Sequence, residues 1–407
     1  MERLHSNAVR ARDGIRWKSS LALAFAAALF SGKRAVADVE IWRGGTSWTQ
    51  DSAWLDGSAP PVGGDPGLTL GFGPLSSSTN DLPGAFTLNR LLLNYDQTAT
   101  GWTIAGVTGS SFLFSGTNPG IVMDGLSQTS LTIPLMVDAA SGPLTFSGSG
   151  TGNVIVSNAI RSTAGIPSLV IAATPGSPNL QTISFSSSSA NVLLQSGNVN
   201  FAGPVTSGAG TLSVSGGTIR FSDTFAQPIV LHANLVVNGA LGTISSAISS
   251  AAPGTGLMLR SNLGTLTLTG ASTYTGATTL DNGFSAEAAA LTGGTLRLSG
   301  NGALLQTSAI HVGAQSTLSL FGAASGLVNR LPDSAPVNLR NGSLIFNGVS
   351  GGSSENIGPL TLAGYSNITV VPVGLGYVEL SAASLSDRKS TRLNSSHSDL
   401  SRMPSSA

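Results

Sequence analysis

From about residue 39 to residue 385 the chain alternates apolar and polar positions in short runs, and no stretch carries convincing helical periodicity. Residues 211–214 (TLSV), 265–269 (TLTLT), 295–298 (TLRL) and 343–346 (SLIF) show the pattern, each bounded by Gly, Asn-Gly or Ser-Gly. Apolar residues at every second position place Leu266 and Leu268 on one face and the threonines on the other, as in a half-buried strand. Branched Thr, Val and Ile suit such a pleated surface. Residues 286–291 (AEAAAL) are the one helix-favouring patch, and they are too short to set the class. The pattern predicts an all-β chain.

These strands recur. Gly-Thr-Leu or Gly-Thr-Ile begins at Gly210, Gly217, Gly242, Gly264 and Gly294, and residues 316–320 (STLSL) echo it. The spacings 264 to 294 and 294 to 316 match the roughly 20–50 residue period of solenoid coils. A β-solenoid buries the inward face of each coil by stacking on the next, so inward positions are apolar and corners take Gly or Asn. A series of sandwich domains is the structural alternative.

Composition sharpens this picture. The 407 residues include 52 Gly and no Cys, with 9% charged against 41% apolar residues. Soluble domains carry roughly a quarter charged residues, so Ser, Thr, Asn and Gly must dress this surface. The apolar share is high enough to fold, unlike a disordered chain of low hydrophobicity and high net charge. Without Cys there are no disulfides, thiol nucleophiles or thiolate metal sites.

The zero net charge hides an asymmetry. Of 19 Lys/Arg and 19 Asp/Glu, residues 1–37 hold seven and two, and residues 387–407 hold four and two; eight basic and 15 acidic residues remain between, a net of −7. All eight are Arg. A mildly acidic, lysine-free body has no electrostatic footprint for nucleic acid or anionic lipid.

The first 37 residues read as a secretory signal: Arg3, Arg10, Arg12, Arg16 and Lys18, then the apolar run 21–30 (LALAFAAALF), then a small-residue site ending at Ala37, with cleavage before Asp38. Ten apolar residues cannot span a bilayer, which needs about 20. Lys33 and Arg34 sit where such leaders are usually neutral, and a buried N-terminal helix is the alternative. No later run reaches the length of a membrane helix.

Candidate chemistry is sparse. The string 348–352 (GVSGG) imitates a nucleophile elbow, but Ser350 lies in a Gly/Ser run between strands with no helix to follow. His232 and His311 sit in or beside strands with no metal-ligand spacing around them. Metalloprotease, calcium-loop and phosphate-loop strings are absent. Glycosidase chemistry would need paired carboxylates; the nearest pairs, Asp38/Glu40 and Asp51/Asp56, lie near the N-terminus. No catalytic residue, metal or cofactor is expected. Trp42, Trp48 and Trp54 either seal the first coil or contact glycans by stacking on sugar rings. Asn341 and Asn367 open sequons that are incidental in a bacterial chain.

Residues 264–283 (GTLTLTGASTYTGATTLDNG) resemble the autotransporter-associated β-strand repeat of bacterial passenger domains. Gly264, Leu266, Leu268, Gly270, Tyr274, Gly276, Thr278, Leu280 and Gly283 stand where that pattern wants them. Residues 284–292 then intervene before the next strand, as a loop bulging from the coil. The tryptophan-rich start with Pro60-Pro61, and residues 355–362 (ENIGPLTL), resemble segments flanking such repeats. The resemblance implies a right-handed parallel β-helix, displayed at the outer-membrane surface as an adhesin-like or scaffolding passenger. Its partners would be host or environmental surfaces or glycans, and its anchor would lie beyond this C-terminus. An extracellular glycan-binding or glycan-cleaving β-helix is the other reading.

The expected organisation is a signal peptide at 1–37, an aromatic cap with the first coils at 38–110, passenger repeats at 111–386, and a tail at 387–407. In that tail, alternation and Gly punctuation stop together and four basic residues crowd 21 positions. It reads as a non-native, disordered extension, with a genuine polar tail as the alternative.

Overall fold

The computed structural model describes residues 39–387, except 73–77, 94–101, 174–181, 186–189, 207–209, 240–241, 261–263, 281–292, 322–328 and 375. The leader with Ala37 and Asp38, Gly283, the 286–291 patch, the 284–292 insertion and residues 388–407 lie outside these. Asp387, assigned to the tail by its sequence, instead ends the strand Leu385–Asp387.

The chain winds as a right-handed parallel β-helix with three strand positions per coil. Ten strands, from Val39–Trp42 to Ile248–Ser250, stack into the first sheet, and 14, from Ser78–Asn80 to Leu385–Asp387, into the second. The third face is a four-stranded sheet, then a seven-stranded one from Thr224–Phe225 to Asn367–Val371. Each strand pairs in parallel with its equivalent in the next coil. Pairing also runs unbroken past residue 110, where Ser110–Phe114 joins Gly84–Leu88.

Alternation along each strand becomes stacking between coils. Leu266, Leu296, Leu318 and Leu344 pair in succession, and Leu268, Leu298, Leu320 and Phe346 form the neighbouring row. All eight are buried. On the second sheet Phe185, Phe201 and Phe221 stack face on face, at centroid separations of 6.0 and 5.8 Å. Burying each such side chain stabilises the fold by about 1.5–3 kcal/mol.

Register explains the uneven spacing of Gly-Thr-Leu. The copies at Gly264 and Gly294 and the echo at Ser316 share the third face, with Thr265, Thr295 and Thr317 paired in turn. The copy at Gly210 starts a strand of the first sheet, and that at Gly217 a strand of the second. The motif therefore marks strand starts on all three faces. Thr265 pairs with Thr295, so the strands on either side of residues 281–292 are in register.

Candidate functional site

The three N-terminal tryptophans come together, and they do so inside. Trp42, Trp48 and Trp54 are 3%, 0% and 0% exposed. Their rings lie 5.2–6.1 Å apart, and Trp48 also meets Phe72, Phe86 and Phe112 at 5.4–5.8 Å. Trp48 Nε1 donates to Ser78 Oγ at 2.7 Å, and Trp54 Nε1 to the Trp48 carbonyl at 2.9 Å. Such buried rings offer no face to a sugar here, which fits the sealing role of the two weighed from the sequence. The reason is hydrophobic: among the described residues no coil precedes the first one, and the three indoles fill the space at its end.

The repeat-motif residues also turn inward. Tyr274 Oη lies 2.7 Å from Thr278 Oγ1, which lies 3.0 Å from Thr307 Oγ1 of the next coil; Thr307 donates to the Gly276 carbonyl at 2.8 Å. Burial pushes the Tyr274 hydroxyl well above its ordinary pKa, against the smaller opposing effect of Thr278. Gly276 sits so close to the preceding coil that a Cβ there would run into the Gly254 carbonyl. A Cβ at Gly270 would strike Ser246 in the same way. The Tyr-x-Gly-x-Thr string is thus a corner that lets coils close up and ties each to the next. Tyr274→Phe is expected to cost about 1 kcal/mol, one neutral hydrogen bond, read as faster amide exchange in coils 254–312.

Ser350 lies exposed in a turn and is followed by the strand Ser353–Ile357, not a helix. His232 and His311 lie on separate coils, and His311 Nδ1 lies 3.4 Å from Asn338 Nδ2. Among the described residues no three His or acidic side chains gather as metal ligands. No described helix is long and apolar enough to cross a membrane.

Two charged constellations escaped the sequence pattern. The first is a corner: Asp138 accepts from Ser115 Oγ at 2.8 Å, Ser141 Oγ at 2.9 Å and the Ala140 amide at 3.1 Å. These bonds, Ser115 first, hold its carboxyl below the ordinary carboxylate value. A lowered folded pKa stabilises above the unfolded value and loses that contribution as pH falls through the folded one. Asp138→Asn should therefore flatten the acid limb of the exchange profile for residues 110–145.

The second is a buried bolt across three coils. The Glu355 carboxylate accepts the Arg330 amide at 2.9 Å and the Leu331 amide at 2.8 Å. The Arg330 guanidinium reaches the previous coil, donating to the carbonyls of Gly300, at 3.0 Å, and Gly302. Both side chains are at most 2% exposed. A signal did exist: Glu355 has the same strand parity as Ile357, which placed a carboxylate at an inward position.

The outer surface carries the remaining candidate. A groove of about 740 Å³ runs over the first sheet, with Val170 and Leu193 on its floor and Ser168, Asn191, Thr211 and His232 among its lining groups. Val170 and Leu193 pair in adjacent coils, and Asn191 Oδ1 accepts the Thr211 amide at 3.2 Å. On the third face one outward row forms an uncharged ladder. Thr265, Thr295, Thr317, Ser343 and Asn367 follow one another across five coils of the third face.

No family model matches this chain, and neither does any curated protein or solved structure.

Proposed function

We propose that this chain is an exported, surface-displayed structural passenger with adhesin-like contacts, related to the autotransporter passengers that residues 264–283 resemble, and that it is not an enzyme. The outward ladder from Thr265 to Asn367 carries this reading. Parallel strands stack about 4.8 Å apart, so the ladder repeats the same hydroxyl and amide groups at a fixed interval. Repetition of weak, uncharged donors and acceptors suits multivalent attachment to an extended surface, where avidity grows without any strong single contact. The polar side chains also screen the strands without charge.

Display on a Gram-negative host tests it. Cells carrying the chain fused to an outer-membrane anchor are expected to retain glycan-coated or abiotic surfaces better than cells carrying the anchor alone. The exported product should lack residues 1–37 by intact mass. Equal retention by both cell types, or hydrolase or lyase activity abolished by Ser350→Ala, would overturn the reading.

The groove favours a second reading, a glycan-binding β-helix. Hydroxyl, amide and imidazole groups over the Val170–Leu193 floor match a neutral sugar's own mixture of hydroxyl and C–H surface. A glycan array on which binding falls at least about tenfold with His232→Ala, a loss of about 1.4 kcal/mol, would favour it over the ladder.

A further inference from the structure

Only eight arginines lie between residues 38 and 386, and two of them share one outward row of the second sheet. Thr218–Phe221, Leu235–Asn238 and Leu257–Arg260 stack there in successive coils. Thr218 and Ile219 pair with Val236 and Val237, which sets Arg220 beside Asn238, and Asn238 pairs with Arg260. Strand alternation turns all three outward: Ile219, Phe221, Val237 and Leu259 are buried, whereas Arg220, Asn238 and Arg260 are exposed. The preceding coils continue the row with uncharged groups, since Asn200 pairs with Arg220 and Ser184 with Asn200. The row therefore reads hydroxyl, amide, guanidinium, amide, guanidinium.

The two cations are placed to act together. A Cβ added at Gly239 would lie 3.9 Å from Arg220 Nε, so this side chain reaches along the stack over the coil of Asn238, toward Arg260. Among the described residues neither guanidinium has a hydrogen bond or ion pair. Asp223, three residues beyond Arg220, is exposed and accepts the Thr224 amide at 2.6 Å. Strands stack about 4.8 Å apart, so the two arginine positions recur at about 9.6 Å with an amide between them. The acidity of the chain lies elsewhere. Residues 38–138 hold nine acidic residues and two arginines, and 139–386 six of each, so the net of −7 belongs to the earlier coils. Exposed charges act over only about 8 Å at physiological salt.

We infer that this row binds an acidic glycan strand laid along the helix axis, with a carboxylate on every second ring facing the protein. An extended chain of linked pyranoses advances by about one coil step per ring. Carboxylates two rings apart therefore meet Arg220 and Arg260, and the ring between them meets Asn238. A guanidinium donates two parallel hydrogen bonds to a carboxylate in its own plane. The Asn238 amide both donates to and accepts from sugar hydroxyls. Duplex nucleic acid carries a phosphate about every 3.4 Å along each strand, too dense a charge for cations at this interval. The row is separate from the third-face ladder and from the first-sheet groove, so the inference stands independently of export, display and neutral-sugar binding.

Calorimetric titration of the full chain at low salt tests it, with hyaluronan fragments as probes. The tetrasaccharide carries two carboxylates two rings apart, and the disaccharide carries one. The tetrasaccharide is expected to bind about fivefold tighter, the upper end for one more exposed ion pair, and added salt should erase the difference. Arg220→Gln or Arg260→Gln should bring the tetrasaccharide down to the disaccharide's affinity. Both positions are exposed, so the circular dichroism spectrum should stay unchanged. Neutral chitotetraose should not compete, and His232→Ala, in the groove, should leave the binding as it was. Equal affinity for the two fragments would overturn the inference, as would no binding at all or binding indifferent to both glutamines. Equal competition by chitotetraose or by a tetranucleotide would overturn it as well. Loss of binding with His232→Ala alone would assign the contact to the groove instead.

Discussion

Replacing Glu355 with alanine is expected to open the C-terminal coils locally, at a cost of about 2–6 kcal/mol, from two buried amides left without acceptors at about 1–3 kcal/mol each. The variant leaves the Arg330 guanidinium without its counter-charge and the Arg330 and Leu331 amides without their acceptors. Three coils share the bolt, so amide protection should fall over residues 302–363 together. Solenoid coils contact only their neighbours, so the N-terminal coils should keep theirs. A uniform loss along the chain, or none, would refute the assignment. Glu355→Gln keeps one acceptor oxygen and should cost less. The pH dependence has a definite sign. Burial, partly offset by the two amides and Arg330, raises the Glu355 carboxyl above its ordinary value. A carboxyl raised in the folded state binds its proton more tightly there, so its contribution is greatest below the unfolded pKa and is lost as pH rises through the folded one. Glu355→Gln should remove that slope from the exchange profile.

Trp48→Ala is expected to have a comparable effect at the other end. Trp48 touches five aromatic rings and donates its indole N–H to Ser78. Deleting a buried tryptophan typically costs about 3–5 kcal/mol through lost transfer energy and the cavity left behind. The cavity would sit at the end of the described coils, where no earlier described coil can collapse into it. Protection should drop across 39–114, and tryptophan emission should shift to the red as Trp42 and Trp54 hydrate. The coils from Ile229 onward should be unaffected. If Trp48→Ala instead leaves the N-terminal coils intact and abolishes binding to a glycan, the indole is a contact residue and the packing account fails.

Much of this molecule was legible from one sequence because a solenoid is nearly one-dimensional. Period-two alternation at positions 265–269 and 295–298 already determined which side of each strand is apolar, since Cβ atoms alternate whatever the strand later pairs with. Gly-Thr-Leu and Gly-Thr-Ile marked strand starts because a stacked coil leaves no room for a Cβ at such corners, as at Gly210 and Gly242, where one would strike the Ala190 and Asp223 carbonyls. Low charge and the Ser/Thr/Asn dress of the surface likewise needed no coordinates. Which face each strand joins was decided only by the tertiary structure: Gly210, Gly217 and Gly264 open similar strings on three different sheets, because coil length depends on the corner turns. The destiny of the tryptophans was decided there too. An indole serves equally as a sugar platform or as a plug, and only the structure shows these three rings buried together. Glu355 makes the same point for charge. Its parity pointed inward, but the acceptor's role depended on two amides 24 and 25 residues away, brought to 2.8 and 2.9 Å by one turn of the helix. Local alternation follows from the geometry of a single strand, whereas partners across coils depend on pitch and register, which belong to the whole stack.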